Sequence, residues 1–366
     1  MNRMTIKRGL LSALVLIAAS LDAISQDTSQ SALKIPERDI PIPGTVSSQT
    51  QQAMAQSLPD PEGLPKTTEE WRQYFLNPQW EKVLGGDHSA QVAQALSELR
   101  QRYDVKVEPR TIAGVNCFIV TPNLIPRANR RRLLVHVHGG GYMSRGGELG
   151  TEEAIRVGGS AHMKVVSIDF RLAPQFPYPA AMDDAMAVWS ALVKTTKPTS
   201  MAIFGSSSGG GMTLAMIQRA KEQGLPLPGA IAVGTPWSDL TKTGDTYFTN
   251  AYLDRVLRTY EGPVEAQALL YANGHDLKDP HLSPVYGRFD GFPAAILASG
   301  TRDLYLSNTV RVYQKLLEAG VESQLLVFEG LSHGDSFAFS PDDRAPETRL
   351  ALKEIARFFD RHLTSN

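Results

Sequence analysis

The chain has 366 residues, 42% hydrophobic and 20% charged, with 37 basic against 38 acidic side chains and a formal net charge of −1. So even a balance gives no reason to expect nucleic acid as a partner, and the length suits one large α/β domain with a smaller appendage. A single cysteine, Cys117, excludes an internal disulfide and any cysteine-based metal cluster.

Residues 1–25 read as an address rather than as structure. Arg3, Lys7 and Arg8 precede the apolar run Gly9–Ala19, and Ala23-Ile24-Ser25 offers small residues for cleavage. The run is too short to span a bilayer comfortably, so no stable membrane anchor is expected. No cysteine follows it for lipid attachment. The expectation is export, periplasmic or secreted, after signal-peptide cleavage. From residue 26 to 64 the chain is rich in Ser, Gln and Pro and is expected to be extended or poorly ordered.

Helical patterning begins at Thr67–Leu76, whose Thr and Glu residues suit an N-terminal cap, and resumes over Ser89–Arg102. Residues 65–102 are therefore read as N-terminal cap helices. The stretch Arg102–Pro109 alternates like a strand, with Val115–Val120 as its hairpin partner. Cys117 lies in that partner run and is read as a small core residue. Arg127 and Arg130–Arg132 are read as a solvated turn.

Apolar strands are then predicted at Leu133–His138, Lys164–Ile168, Met201–Phe204, Ala230–Gly234, Ala294–Ser299 and Gln324–Phe328, with helical patterns between them. Such alternation specifies an α/β fold with a mostly parallel sheet and helices on both faces. Residues 103–366 form this domain, and about 239–280 is longer than a crossover needs. Within it Asn250–Tyr260 and Pro263–Tyr271 read as helices of a cap insertion.

The chain is organised around Gly205-Ser206-Ser207-Ser208-Gly209, set between a strand and a helical run. Strand, G-x-S-x-G and helix make a nucleophile elbow, a turn so tight that its apex, Ser207, takes strained dihedrals and small neighbours are required. In an open parallel sheet, chemistry gathers at the carboxyl ends of strands, and other loops there carry suitable groups. His138-Gly139-Gly140-Gly141 reads as an oxyanion hole of backbone N–H groups, or as a flexible glycine turn. Asp303 directly follows a strand and could orient an imidazole, or cap the helix beginning near Ser307. His333 follows the last strand. The order nucleophile, acid, histidine is that of an α/β-hydrolase.

At the level of whole motifs the chain resembles the hormone-sensitive-lipase-like carboxylesterases of the α/β-hydrolase fold. The resemblance rests on His138–Tyr142, Asp169–Pro174 with Pro177–Ala181, Gly205–Gly210, Asp279–Pro284, Gly300–Leu304 and Glu329–His333, and runs from about Tyr103 to the C-terminus. It implies Ser207 as nucleophile, His333 as base and Asp303 as its orienter, with oxyanion donors on Gly140, Gly141 and Ser208. The implied activity is hydrolysis of short- to medium-chain carboxylic esters, a small-molecule substrate, with neither metal nor organic cofactor. A lactonase, a sugar-ester deacetylase or a non-catalytic receptor of the same fold are the alternatives. Tyr142, Trp71, Phe75 and Tyr252 are candidates for the substrate pocket, and the oligomeric state is left open, a homodimer included. Two departures stand out: Ser206 where the family usually has Asp or Thr, and Ser208 where it usually has Ala. An acidic residue common shortly after the triad acid is replaced by Ser307 and Asn308.

Overall fold

The computed structural model describes residues 35–55, 64–77, 89–336 and 343–365. The expected signal segment lies outside these. The chain divides after Pro41, and residues from 42 on form one compact unit; before the division, residues 35–41 are described and have no regular structure. No helix among the described residues is long and apolar enough to cross a membrane.

The strands are β1 (Val105–Ile112), β2 (Val115–Pro122), β3 (Leu133–Val137), β4 (Lys164–Ile168), β5 (Met201–Ser206), β6 (Ala230–Gly234), β7 (Ala294–Gly300) and β8 (Ser323–Phe328). They form one eight-stranded sheet in the order β1-β2-β4-β3-β5-β6-β7-β8. The β1–β2 and β2–β4 pairs are antiparallel, and β4, β3, β5, β6, β7 and β8 pair in parallel. Central strands are apolar at nearly every position because helices cover both faces. Val135, Val137, Ile203 and Val233 join one buried cluster with Met212 and Ile217 of the elbow helix, Ser208–Glu222. Their neighbours Leu134, Phe204 and Ala232 join a second with Ile155, Phe358 and Phe359. The period-2 switch between clusters marks the two faces of the sheet.

The structure differs from the sequence expectations in three places besides Arg132, read as part of a solvated turn but buried, where it donates to Asp360 at 2.7 Å and to the Leu363 carbonyl at 2.6 Å. Within 26–64, Ser48–Ala55 is a helix with Thr50 and Ala53 buried. Ser47 heads it, accepting from the Thr50 N–H, and is itself tied to Glu347 through its N–H and hydroxyl, each at 2.8 Å. A Ser/Gln-rich stretch is ordered here by a carboxylate 300 residues away. Secondly, Ser89–Arg102 is helical, but its Leu96 and Leu99 pack with Ile155 and Phe358 in the main domain. It is not part of the cap. Thr68–Leu76 does behave as expected: Thr67 and Glu70 form a reciprocal capping box, and the helix packs against Pro263–Ala272. Thirdly, Asn250–Tyr260 is no helix. Only Thr246–Thr249 is helical there; beyond it the chain turns, with Tyr252 and Arg258 at positive φ. The cause is Asp254, whose carboxylate accepts from the N–H of Val256 at 2.8 Å and of Leu257 at 3.1 Å in place of a helical ladder.

Candidate active site

Ser207 stands between β5 and the elbow helix with φ 59° and ψ −126°. Such a conformation costs about 1–3 kcal/mol for a residue with a side chain, and it is held on both sides. The Ser207 N–H donates to Gly234 at 2.9 Å, and its carbonyl accepts from Trp237 at 2.8 Å and Gly211 at 3.0 Å. Gly205 and Gly209 are required because the Val137 carbonyl oxygen lies 2.1 and 2.0 Å from where their β-carbons would stand. Ser206 takes no part in the apex. It turns to the other face and donates to buried Glu153 at 2.9 Å, and Glu153 reaches His136, which pairs with Ser167 at 2.9 Å.

Beyond β3 the backbone runs through Gly140, Gly141 and Tyr142, all at positive φ. Gly140 also folds so tightly that a β-carbon there would meet the Ser144 carbonyl at 2.6 Å. His138 fixes the start of this loop, its Nδ1–H donating to the Gly139 carbonyl at 2.7 Å while its ring stacks on Phe170. Burial pushes its pKa down to about 3, so it is neutral at any working pH. Tyr142 closes the loop onto the elbow. Its hydroxyl donates to the Ser208 carbonyl at 3.0 Å, and its ring stacks on Tyr271 of the cap at 3.7 Å. The Ser208 N–H heads a 15-residue helix, where the dipole favours negative charge. Gly140, Gly141 and Ser208 are thus joined through one tyrosine.

Asp303 and His333 meet at the ends of β7 and β8. The His333 Nδ1–H donates to Asp303 Oδ1 at 3.1 Å, since a carboxylate can only accept. Ser299 donates to Asp303 Oδ2 at 2.6 Å and the Tyr305 N–H to Oδ1 at 2.8 Å. Asp303 does not cap the following helix, which starts at Leu306 without a side-chain cap. Burial opposes protonation of His333, but the Asp303 carboxylate and its hydrogen bond, with Asp254 and Asp335 behind, outweigh it and hold the imidazole above its ordinary 6.5. The Tyr305 ring lies edge-on to the imidazole at 4.8 Å and stacks on Trp237, the residue bonded to Ser207.

Asp254 was not foreseen as a site residue. It is fully buried, and with Asp303 and His333 it presents oxygen and nitrogen atoms within 4.8 Å of one another. Both oxygens of each carboxylate already accept N–H or O–H donors. The one signal in the sequence was local: an Asp bonding the N–H two residues on is an Asx-turn, a mark against helix. Ser307 and Asn308, standing where an acid was expected, bind the segment that brings Asp254 in. Ser307 exchanges hydrogen bonds with Thr246 at 3.0 and 2.9 Å, and Asn308 donates to the Tyr247 hydroxyl at 3.1 Å.

Of the proposed pocket residues, Trp71 and Phe75 are buried and stacked 5.6 Å apart, with Trp71 3.9 Å from the β-carbon position at Gly262. Tyr252 is 72% exposed, with the Arg258 guanidinium near its ring. The cap does touch the glycine loop elsewhere: the Gln267 side chain fills the space beside Gly141.

This geometry has counterparts. A family model for the alpha/beta hydrolase fold matches residues 134–336. An esterase of Acinetobacter venetianus is 28% identical over 267 residues, covering 70% of this chain and 83% of that protein. Carboxylesterase NlhH of Mycobacterium tuberculosis is 29% identical over 239 residues, covering 62% and 73%. Among solved structures, esterase E25 superposes with a TM-score of 0.82 at 39% identity, covering 91% of this chain and 99% of that one. The chain belongs to the α/β-hydrolase family, in the hormone-sensitive-lipase-like branch whose motifs it carries.

Proposed function

We propose that this carboxylic ester hydrolase is a serine esterase in which Ser207 attacks the ester carbonyl and His333 takes its proton. The observation that carries the reading is the strained Ser207 apex in a site that also holds a buried Asp303–His333 pair. With the imidazole proton on Nδ1, Nε2 is the basic nitrogen. The N–H groups of Gly140, Gly141 and Ser208 receive the charge of the tetrahedral intermediate, and a donor of this kind is worth about 10²–10³ in turnover. Collapse expels the alcohol with a proton from His333, and water then releases the acid from Ser207 by the same steps in reverse order.

Short- to medium-chain acyl esters are the proposed substrates. The cap helix pressing Gln267 and Tyr271 onto the glycine loop favours compact acyl groups, and an acetyl-hydrolase of Streptomyces hygroscopicus is 28% identical over 196 residues. A receptor without turnover is disfavoured by the Asp303–His333 hydrogen bond, which ligand binding alone does not need. The test is a panel of p-nitrophenyl esters from acetate to decanoate, with lactones and acetylated sugars alongside. Turnover falling steeply beyond the medium chains supports the reading; turnover confined to lactones or acetylated sugars replaces it. Export is also proposed from the pattern in residues 1–25, and the mass of the mature N-terminus in cell fractions tests it.

A further inference from the structure

Asn250, Asp254 and Arg255 lie on the turn that leaves the short helix Thr246–Thr249, and their side chains converge on the two loops that carry Asp303 and His333. Asp254 is fully buried. Its Oδ2 accepts from the N–H of Leu304, the residue after Asp303, at 2.8 Å. Its Oδ1 accepts from the N–H of His333 itself, at 3.4 Å, besides the two bonds within its own turn. One carboxylate therefore bonds the backbone of both loops. The flanking residues support it. The Asn250 amide donates to the carbonyls of Asp303 at 2.8 Å and Thr301 at 3.1 Å. The Arg255 N–H donates to the Ser332 hydroxyl at 3.2 Å, and its guanidinium pairs with Asp335.

A buried carboxylate beside another carboxylate is expensive, and burial together with the Asp303 charge pushes the Asp254 pKa up to about 6. Accepting at both oxygens calls for a carboxylate, since Asn would turn its NH2 against the Leu304 N–H, but holding backbone alone makes no use of the negative charge. The charge matters only to a neighbour that becomes positive, and His333 is that neighbour. Resting on the serine-esterase reading above, we propose that Asp254 is a positioning residue for the Asp303–His333 pair: it locks the two loops in register and stabilises the imidazolium formed when Ser207 gives up its proton. It touches no substrate. The other charged or titratable groups facing His333 are Asp303, Asp335 with its partner Arg255, and Tyr305, whose buried phenol is held well above its ordinary pKa and stays neutral.

The test is Asp254→Asn in the full chain, assayed with p-nitrophenyl butyrate from pH 5 to 9 beside thermal unfolding. The expected result is a folded protein with kcat down about 10- to 100-fold, the scale set by an ångström of misplacement, and KM within about twofold. The acid limb of kcat should move to lower pH, because a negative charge that favours the imidazolium has gone. Asn250→Ala removes neutral bonds to the same loops and should leave the limb in place. Wild-type kcat with an unmoved limb in Asp254→Asn would overturn the proposal. So would failure to fold of both Asp254→Asn and the smaller Asp254→Ser, which would make the residue purely structural. The underlying esterase reading fails separately, on full turnover by Ser207→Ala, whatever Asp254 variants do.

Discussion

Gly209→Ala is the sharpest test of how the elbow is built. The added methyl would lie 2.0 Å from the Val137 carbonyl oxygen and 2.7 Å from that of His138, against an ordinary contact of 3.4 Å or more. About 1.4 Å of separation is therefore required, and the obstacles are backbone atoms at the end of the central strand β3. Overpacking costs about 1–3 kcal/mol where neighbours can give way, so the upper end applies. Alanine's better helix propensity returns about 1 kcal/mol, leaving a net loss of about 2 kcal/mol. In a domain of this size that is a fall of about 3 °C in Tm. Activity should suffer more than stability, because the displacement separates Ser207 from the glycine loop, and such misplacement costs about 10²-fold. Circular-dichroism melting and kcat/KM on p-nitrophenyl acetate measure the two losses. Gly44→Ala, with nothing within 4 Å of the added carbon, should change neither. An unaltered Tm and full turnover in Gly209→Ala would show that the elbow is not wedged against β3, and the argument for Ser207 strain would fall with it.

Ser207→Ala should lose about 10⁴- to 10⁶-fold in kcat while melting like the parent, and Ser208→Ala should keep clear activity. Ser206→Ala should also keep it, since that hydroxyl points to Glu153; an inactive Ser206→Ala beside an active Ser207→Ala would move the apex by one residue. Turnover should rise with pH through a limb lying above 6.5, because His333 must be neutral to accept a proton and its surroundings hold the proton on; a flat profile from pH 5 to 9 would rule out a histidine base. Trp71→Ala should cost about 3–5 kcal/mol in the cap's packing and change the ranking of acetyl to decanoyl esters; an unchanged ranking, assayed below the variant's melting temperature, would remove the N-terminal helix from the site.

Much of this was legible in the sequence because the signals are local. The strands β3 to β8 announce themselves as short apolar runs between turns, and Ser207 sits in a pattern whose glycines have one steric purpose. Order along the chain then singled out Asp303 and His333. What escaped depends on long-range contact. An amphipathic pattern shows that Ser89–Arg102 has a buried face but not that Leu96 and Leu99 meet Ile155 and Phe358 rather than the cap. Nothing near Ser47 in sequence foretells Glu347. Asn250–Tyr260 has helix-compatible spacing, and the bond from Leu304 that fixes Asp254 in its turn is made by a residue 50 positions on.

The turn from Asn250 to Arg255 bears on how the enzyme could be re-engineered. Caps of hydrolases are attractive modules for exchange, since they are taken to sit above an invariant chassis. Here the seam runs through the chassis itself: the insertion supplies bonds to Thr301, Asp303, Leu304, Ser332 and His333. A graft cut at the ends of the whole insertion would replace those bonds along with the pocket wall. The separable piece is shorter, the helix Pro263–Ala272 that carries Gln267 and Tyr271, and chimeras joined after Tyr260 should inherit a new specificity while keeping the bonds that hold the Asp303 and His333 loops.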